Sequence, residues 1–160
     1  MVDIRKDLNV FAMSAVAGQV AMESAAGPET MTVMMDSESD ETLAPAYPVM
    51  LVAGASSIPL VDLAEPGTDE IYGLVIANPK IGSWEGGDVL QVTTRGTIIY
   101  LEAGESIDRG VKVGLNEIGY TLCAAYGMNC IGTLLDDVTS GDLGRVEIEV
   151  PISGYAVCAS

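Results

Sequence analysis

Tyr72-Gly73-Leu74-Val75-Ile76 is the first of six short apolar runs that decide the fold, and the others lie at residues 89–92, 97–101, 111–113, 131–135 and 146–150. Most of these runs are rich in β-branched residues, and glycines or carboxylates separate them, as in Gly86-Gly87-Asp88. Apolar runs of this length at intervals of roughly 10 residues are typical of short strands joined by tight turns. The segment therefore predicts a mainly β fold, a small β-barrel or β-sandwich.

The residues before this rhythm differ in composition. We expect residues 1–46 to form an N-terminal arm with an acidic linker, and residues 47–160 to form the β-rich domain. The apolar residues of the arm fit helical and strand spacing about equally. Because an apolar segment needs a surface to lie on, two alternatives stay open. The arm reaches a neighbouring molecule, with Val10 and Phe11 as contacts, or it is a first strand packed on its own domain.

The charge balance excludes two classes of partner. The chain carries 23 acidic and 7 basic side chains, and its formal net charge is −16 at pH 7. Nucleic acids and anionic membranes both require clustered Lys and Arg, so neither is expected as a partner. The sequence contains no run of 18 apolar residues, so no transmembrane helix is predicted. A continuous apolar signal region is also missing, so we expect synthesis in the cytosol.

The apolar composition points to self-association. Hydrophobic residues make up 49% of the chain, yet aromatic residues make up only 5%. A core of small aliphatic side chains lacks the large buried area that aromatic side chains provide, and many short strands leave edges to protect. Both features favour a homo-oligomer.

No catalytic residue is predicted. The chain has no histidine, which excludes Ser-His-Asp and Cys-His mechanisms. Glycoside hydrolysis needs two carboxyl groups that face one cleft, and the candidates are Asp136-Asp137 and the pair Glu147 and Glu149. Adjacent aspartates at a strand end point to opposite faces, and the two glutamates alternate with apolar residues as on a solvent face.

No metal or cofactor is predicted either. Residues 36–41 hold four carboxylates, but the central glycine and the terminal glutamate of a calcium loop are missing. Cys123, Cys130 and Cys158 are odd in number and lack Cys-x-x-Cys spacing, which favours free thiols over a zinc site or a disulfide framework. A hairpin could still bring Cys123 and Cys130 together.

Trp84 is the only tryptophan and lies in the glycine-rich stretch 82–88. That stretch lacks the Lys-Ser/Thr of a phosphate-binding loop, and it is better interpreted as a tight turn that enters a strand. Two roles for Trp84 are open. An exposed tryptophan in a turn could anchor an interface, or the ring could close the end of the barrel.

The order of these turns and strands resembles that of a known protein family. From Ser83 to Tyr100, an aromatic residue, an acidic residue and a Gly-Asp turn lead into a strand, Arg95-Gly96 and a second strand. A similar turn follows at residues 104–113, and glycine-containing strands follow at residues 132–136 and 141–148. Over roughly residues 70–150, the chain resembles the structural cement (capsid decoration) proteins of tailed bacteriophages.

The resemblance implies a non-enzymatic function. In that family, such a β-domain commonly trimerises and lies on the outer capsid lattice. The implied partners are further copies of the chain, most simply as a trimer, and the major capsid protein lattice. The implied location is the outer surface of the virion, after synthesis in the host cytoplasm. From another functional class, a β-rich ligand- or carbohydrate-binding module is the alternative.

Overall fold

The computed structural model describes residues 15–22, 30–54, 56–125 and 130–150. Within these ranges all regular structure is β, in eleven strands that form a five-stranded sheet and a six-stranded sheet. No helix in the described ranges is long and apolar enough to cross a membrane. The prediction of a mainly β fold with a barrel or sandwich body is confirmed.

Each of the six apolar runs overlaps a strand, because β-branched residues suit a pleated, half-buried backbone. The strands are β1 (Val20–Met22), β2 (Thr30–Met35), β3 (Pro48–Val52), β4 (Leu60–Leu63), β5 (Gly73–Leu74), β6 (Val89–Thr93), β7 (Ile98–Glu102), β8 (Lys112–Leu115), β9 (Leu122–Ala124), β10 (Cys130–Leu134) and β11 (Leu143–Ile148).

The five-stranded sheet has the order β5-β3-β4-β2-β6 and is antiparallel except for the parallel pair β2 and β4. Its two edges approach each other. Val75, just after β5, bridges Val92 of β6, and the Ile76 N–H donates to the Gln91 carbonyl oxygen at 3.0 Å. Hydrogen bonds therefore continue from one edge strand to the other, and this sheet curls into a small barrel.

The six-stranded sheet has the order β1-β7-β11-β10-β8-β9, and every strand pair in it is antiparallel. This sheet also curls. Ala103, which follows β7, bridges Leu122 of β9, and the Gly104 N–H donates to the Leu122 carbonyl oxygen at 2.9 Å. The curl encloses a second core.

Two clusters of buried side chains fill the two sheets. The larger cluster belongs mainly to the six-stranded sheet and also takes in Ala46, Ala64, Ile71 and Leu74 from the other half of the chain. The smaller cluster fills the five-stranded sheet. Because residues of one half complete the core of the other, the two sheets pack as one body.

Glycines at the turns have the backbone geometry that the sequence predicts. Gly87, Gly96, Gly110 and Gly141 have φ between 85° and 92°, a region that favours glycine because it lacks a Cβ atom. Gly132 on β10 is different, since a Cβ atom there would collide with the carbonyl oxygen of Glu147 on β11. Close approach of two strands requires this glycine.

The expected boundary at residue 47 has two strands on its N-terminal side. β1 pairs with β7, and β2 lies between β4 and β6. In β2, Val33 and Met35 alternate with exposed or half-buried neighbours and point into the smaller core. Described residues before position 47 therefore take part in both sheets, while residues 1–14 and 23–29 lie outside the described ranges.

Candidate partner-binding surface

A groove of about 570 Å³ lies on the outer face of the five-stranded sheet. Its floor comes from neighbouring strands, because Thr32 on β2 and Val89 and Gln91 on β6 are exposed and line it. The residues that alternate with them, Val33 on β2 and Val92 on β6, are buried. The alternation of the two strands therefore gives one face to the core and the other to the groove.

The groove walls come from segments outside this sheet. Residues 76–79 and Ile81 form one wall after β5, and Val20 of β1 contributes from the six-stranded sheet. The Ala77 N–H donates to the Gly18 carbonyl oxygen at 2.9 Å, and the Gly18 N–H donates to the Tyr100 carbonyl oxygen at 2.8 Å. Gly18 thus fixes the start of the described chain between the groove wall and β7.

None of the described residues that line the groove carries a charge, although the chain has a net charge of −16. Two of its aliphatic side chains are open to solvent, since Ile81 is 41% exposed and Val89 is 52% exposed. An apolar patch that carries no charge, on an acidic protein, is typical of a surface that another apolar group covers. The groove is therefore the candidate binding surface.

Trp84 lies at this groove, but most of its ring belongs to the core. It is 3% exposed and packs in the smaller cluster with Leu43. The two residues also form a backbone bridge, in which each N–H donates to the other carbonyl oxygen at 2.8 and 2.9 Å. A contact of Trp84 with a partner stays a prediction. Val10 and Phe11, the other predicted contacts, lie outside the described residues.

Charge is distributed unequally between the two halves. Residues 30–93, which contain β2 to β6, carry ten carboxylates and one lysine, whereas residues 94–150 carry nine carboxylates and four basic side chains. Both ion pairs of the described residues lie in the second half. The groove therefore lies on the more acidic half, where a charge-free surface contrasts most with its surroundings.

The aspartates considered for glycoside hydrolysis have structural partners. Asp136 accepts hydrogen bonds from the Arg145 guanidinium at 2.6 and 3.0 Å. These bonds lower the pKa of the Asp136 carboxyl below its ordinary value although partial burial opposes them. Asp137 accepts from the Arg109 N–H at 2.9 Å. The two adjacent aspartates thus turn to different partners and do not share a cleft.

The glutamates have a similar structural arrangement. Glu149 accepts hydrogen bonds from Lys112 Nζ and, at 2.8 Å, from Thr133 Oγ1. Burial raises the pKa of Glu149, but the bonds from Lys112 and Thr133 outweigh it, and the pKa lies below its ordinary value. Glu149 therefore links β8 and β10, whereas Glu147 on β11 is exposed to solvent.

The acidic stretch 36–41 forms turns. The Glu38 N–H donates to Asp36 Oδ1 at 3.2 Å, and Ser39 Oγ donates to Asp62 Oδ1 at 2.6 Å. Because Asp62 lies on β4, this hydrogen bond connects the acidic stretch, which follows β2, to β4. Within the described residues, no group of three or more His, Cys, Asp or Glu side chains is placed to hold a metal ion.

The expectation of free thiols is wrong for Cys130, which takes part in a disulfide bond. Cys123 is free. The two lie on opposite sides of β8, where Gly114 pairs with both. Two strand spacings of about 4.8 Å each separate them, beyond the reach of a disulfide. Burial, and to a smaller extent Glu105, raises the pKa of the Cys123 thiol.

The sequence reasoning missed the groove, although one signal for it was present. In β6, Leu90 and Val92 occupy the buried positions, so Val89 is an aliphatic residue at an outward position. Ile118 was also missed; it is 85% exposed at the turn between β8 and β9. A single exposed aliphatic residue is common on protein surfaces, whereas Val89 and Ile81 lie together in the groove.

Comparisons with known proteins give little further guidance. No protein-family model matches the chain, and no curated protein matches it. Among solved structures, the chain is similar to the head fiber gp8.5 N base of bacteriophage phi29, with a TM-score of 0.46 and 15% sequence identity. The match covers 75% of this chain and 92% of that one. A likeness at this level carries no conclusion about function.

Proposed function

We propose that this protein is a non-enzymatic structural protein of a tailed-bacteriophage virion, which oligomerises and binds the outer surface of the capsid as a decoration (cement) protein. The supporting observation is the ordered series of turns and strands between residues 70 and 150. The residues that carry the family resemblance fall on turns and on strands β6, β7, β8, β10 and β11. The sequence pattern and the backbone therefore agree element by element.

The distribution of carboxylates is consistent with this role. Three of the four carboxylates considered for hydrolysis, Asp136, Asp137 and Glu149, hold neighbouring segments together, and the chain has a net charge of −16. A strong negative charge keeps free copies apart in solution. We propose that the partners are other copies of the chain, as a trimer, and the major capsid protein lattice.

The residues proposed to contact partners are Val10, Phe11 and Trp84. Val10 and Phe11 belong to an apolar stretch without charge, and burial of one phenylalanine side chain contributes roughly 1.5–3 kcal/mol. An assembly repeats this contribution at every copy. Trp84 would contribute from the edge of the groove that it lines.

The direct test is co-sedimentation of the purified full chain with empty capsids of the major capsid protein encoded in the same genome. We expect saturable binding, and a solution mass by light scattering of three chains of 16.6 kDa. Replacement of Val10 and Phe11 by serine should weaken binding, whereas Val2→Ser serves as the matched control. No binding to capsids together with binding on a glycan array would favour a carbohydrate-binding module instead.

A further inference from the structure

The groove has no described occupant, and its lining restricts what could fill it. Ile81 and Val89 present aliphatic surface to solvent, and the lining carries no charge. Transfer of a charged group into such a site costs desolvation free energy that no opposite charge among the described lining residues repays. The occupant is therefore an apolar, uncharged segment.

One such segment lies next to the groove in the chain. From Leu8 to Met22 the sequence contains no charged residue, and residues 8–13 include Leu8, Val10, Phe11 and Met13. The composition of the segment and the composition of the groove match.

The path of the chain brings this segment to the groove. The described chain begins at Ala15, three residues before Gly18, whose carbonyl oxygen accepts a hydrogen bond from the groove-wall residue Ala77. Val20 itself lines the groove. Residues 8–14 can extend about 25 Å from Ala15. This length is sufficient for the segment to lie across the groove, because Val20 at the start of the described chain already lines it.

We propose that the groove is the docking site of the chain's own N-terminal segment, with Phe11 as the side chain that fills it. A short tether gives the segment an effective concentration of about 1 mM, so the same chain is a better source than a second copy in dilute solution. The inference concerns the free protein and does not depend on the proposed function. A capsid or a second copy that takes up Phe11 would have to displace the segment first.

Trp84 provides the measurement, because it is the only tryptophan and it lines the groove. Acrylamide quenching of its fluorescence reports whether the groove is covered. In the full chain we expect weak quenching that does not change with protein concentration. Phe11→Ala in the full chain, and deletion of residues 1–14, should both increase quenching while the β-sheet circular dichroism spectrum stays the same.

A synthetic peptide of residues 1–14 should restore weak quenching of the truncated chain in a saturable manner. The peptide with Phe11→Ala should bind about tenfold more weakly or worse, because it has lost most of its buried apolar area. On the groove side, Val89→Asn should weaken peptide binding. Leu51→Asn is the matched control, since Leu51 is 54% exposed on the same sheet and does not line the groove.

Three results would overturn the proposal. Quenching that stays the same after Phe11→Ala, together with no heat of binding when the peptide is titrated into the truncated chain, would show that the segment does not cover the groove. Quenching of the full chain that rises on dilution would assign the groove to a second copy. Equal loss of peptide binding in Val89→Asn and Leu51→Asn would place the docking site elsewhere. None of these results would by itself change capsid binding, so the proposed function is tested separately.

Discussion

The six-stranded sheet and the five-stranded sheet bury different kinds of side chain in their cores. The larger cluster contains seventeen buried residues in the described chain, all of them aliphatic. The smaller cluster contains nine, but one of them is Trp84, and Tyr47 and Tyr72 pack against it from its margin. The sheet with the smaller core therefore uses the aromatic side chains, because they bury the most area per residue.

The two sheets also differ in whether their charged side chains form ion pairs. The six-stranded sheet pairs Asp136 with Arg145 and Glu149 with Lys112 across its surface. The half that contains the five-stranded sheet has ten carboxylates and a single lysine, and it carries the uncharged groove. The first sheet is therefore fastened within the chain, whereas the second presents the surface that needs a further occupant.

The largest effects should come from truncation of one core residue in each sheet. Trp84→Ala should lower the free energy of unfolding by about 3–5 kcal/mol and Leu101→Ala by about 2–5 kcal/mol, because each leaves a cavity. Since the larger cluster includes residues of both halves, both variants should keep a single unfolding transition in urea. Ile118→Ala, at an 85% exposed position, is the control and should change stability by less than about 0.5 kcal/mol.

If Trp84→Ala instead produced a second transition at lower urea concentration, the five-stranded sheet would unfold by itself. The chain would then consist of two domains, and the residues that the larger cluster takes from both halves would not couple the unfolding of the two sheets.

A smaller effect is expected at the contact between β10 and β11. Gly132→Ala should destabilise the protein by about 1–3 kcal/mol, because the new Cβ atom meets the Glu147 carbonyl oxygen and forces two paired strands apart. Gly82→Ala is the matched control, since a Cβ atom there has open space. Thermal unfolding measures both, and an equal melting temperature for the two variants would show that the strands can separate without cost.

The smallest effect concerns the ion pair of the six-stranded sheet. Asp136→Asn should cost about 1 kcal/mol or less at pH 7, because the pair with Arg145 is partly exposed to solvent. The pKa of Asp136 is lowered in the folded protein. Its contribution is therefore present above the ordinary aspartate pKa of about 3.9 and is lost as the pH falls through the lower folded value.

Melting temperatures of the wild type and Asp136→Asn should accordingly differ at pH 7 and converge in acid. Asp108→Asn, at an exposed aspartate without an ion pair among the described residues, is the control. A difference for Asp136→Asn that grows as the pH falls would contradict the assigned role of the pair.

The sequence was sufficient to predict six of the eleven described strands, but not which strands lie next to each other in the sheets. Period-2 alternation and turn glycines are local signals, so β6, β7 and β11 could be recognised from a few residues each. The position of β8 between β9 and β10 is not a local feature of the sequence. A hairpin that brings Cys123 and Cys130 together was therefore a possible interpretation, but it is wrong. Similarly, the competing periods of the arm could not reveal that β1 pairs with β7.

The groove could be predicted only in part for the same reason. Val89 was recognisable as an aliphatic residue on the outward side of a strand, but its neighbour Val20 comes from a segment distant in sequence. Trp84 was identified as noteworthy because it is unique, while its burial beside Leu43 depends on a long-range backbone bridge. Chemistry that depends on one residue type was predictable, and surfaces that several segments form were not.

The proposed role of this chain as a capsid decoration protein is tested most directly by electron cryomicroscopy of empty capsids saturated with the purified full chain. Capsids without the chain are the control. We predict additional density on the outer surface, at symmetry-related sites, into which three copies of the β-body fit around a threefold axis. Capsids that show no additional density at saturating protein concentration, or density only on their inner surface, would contradict the account.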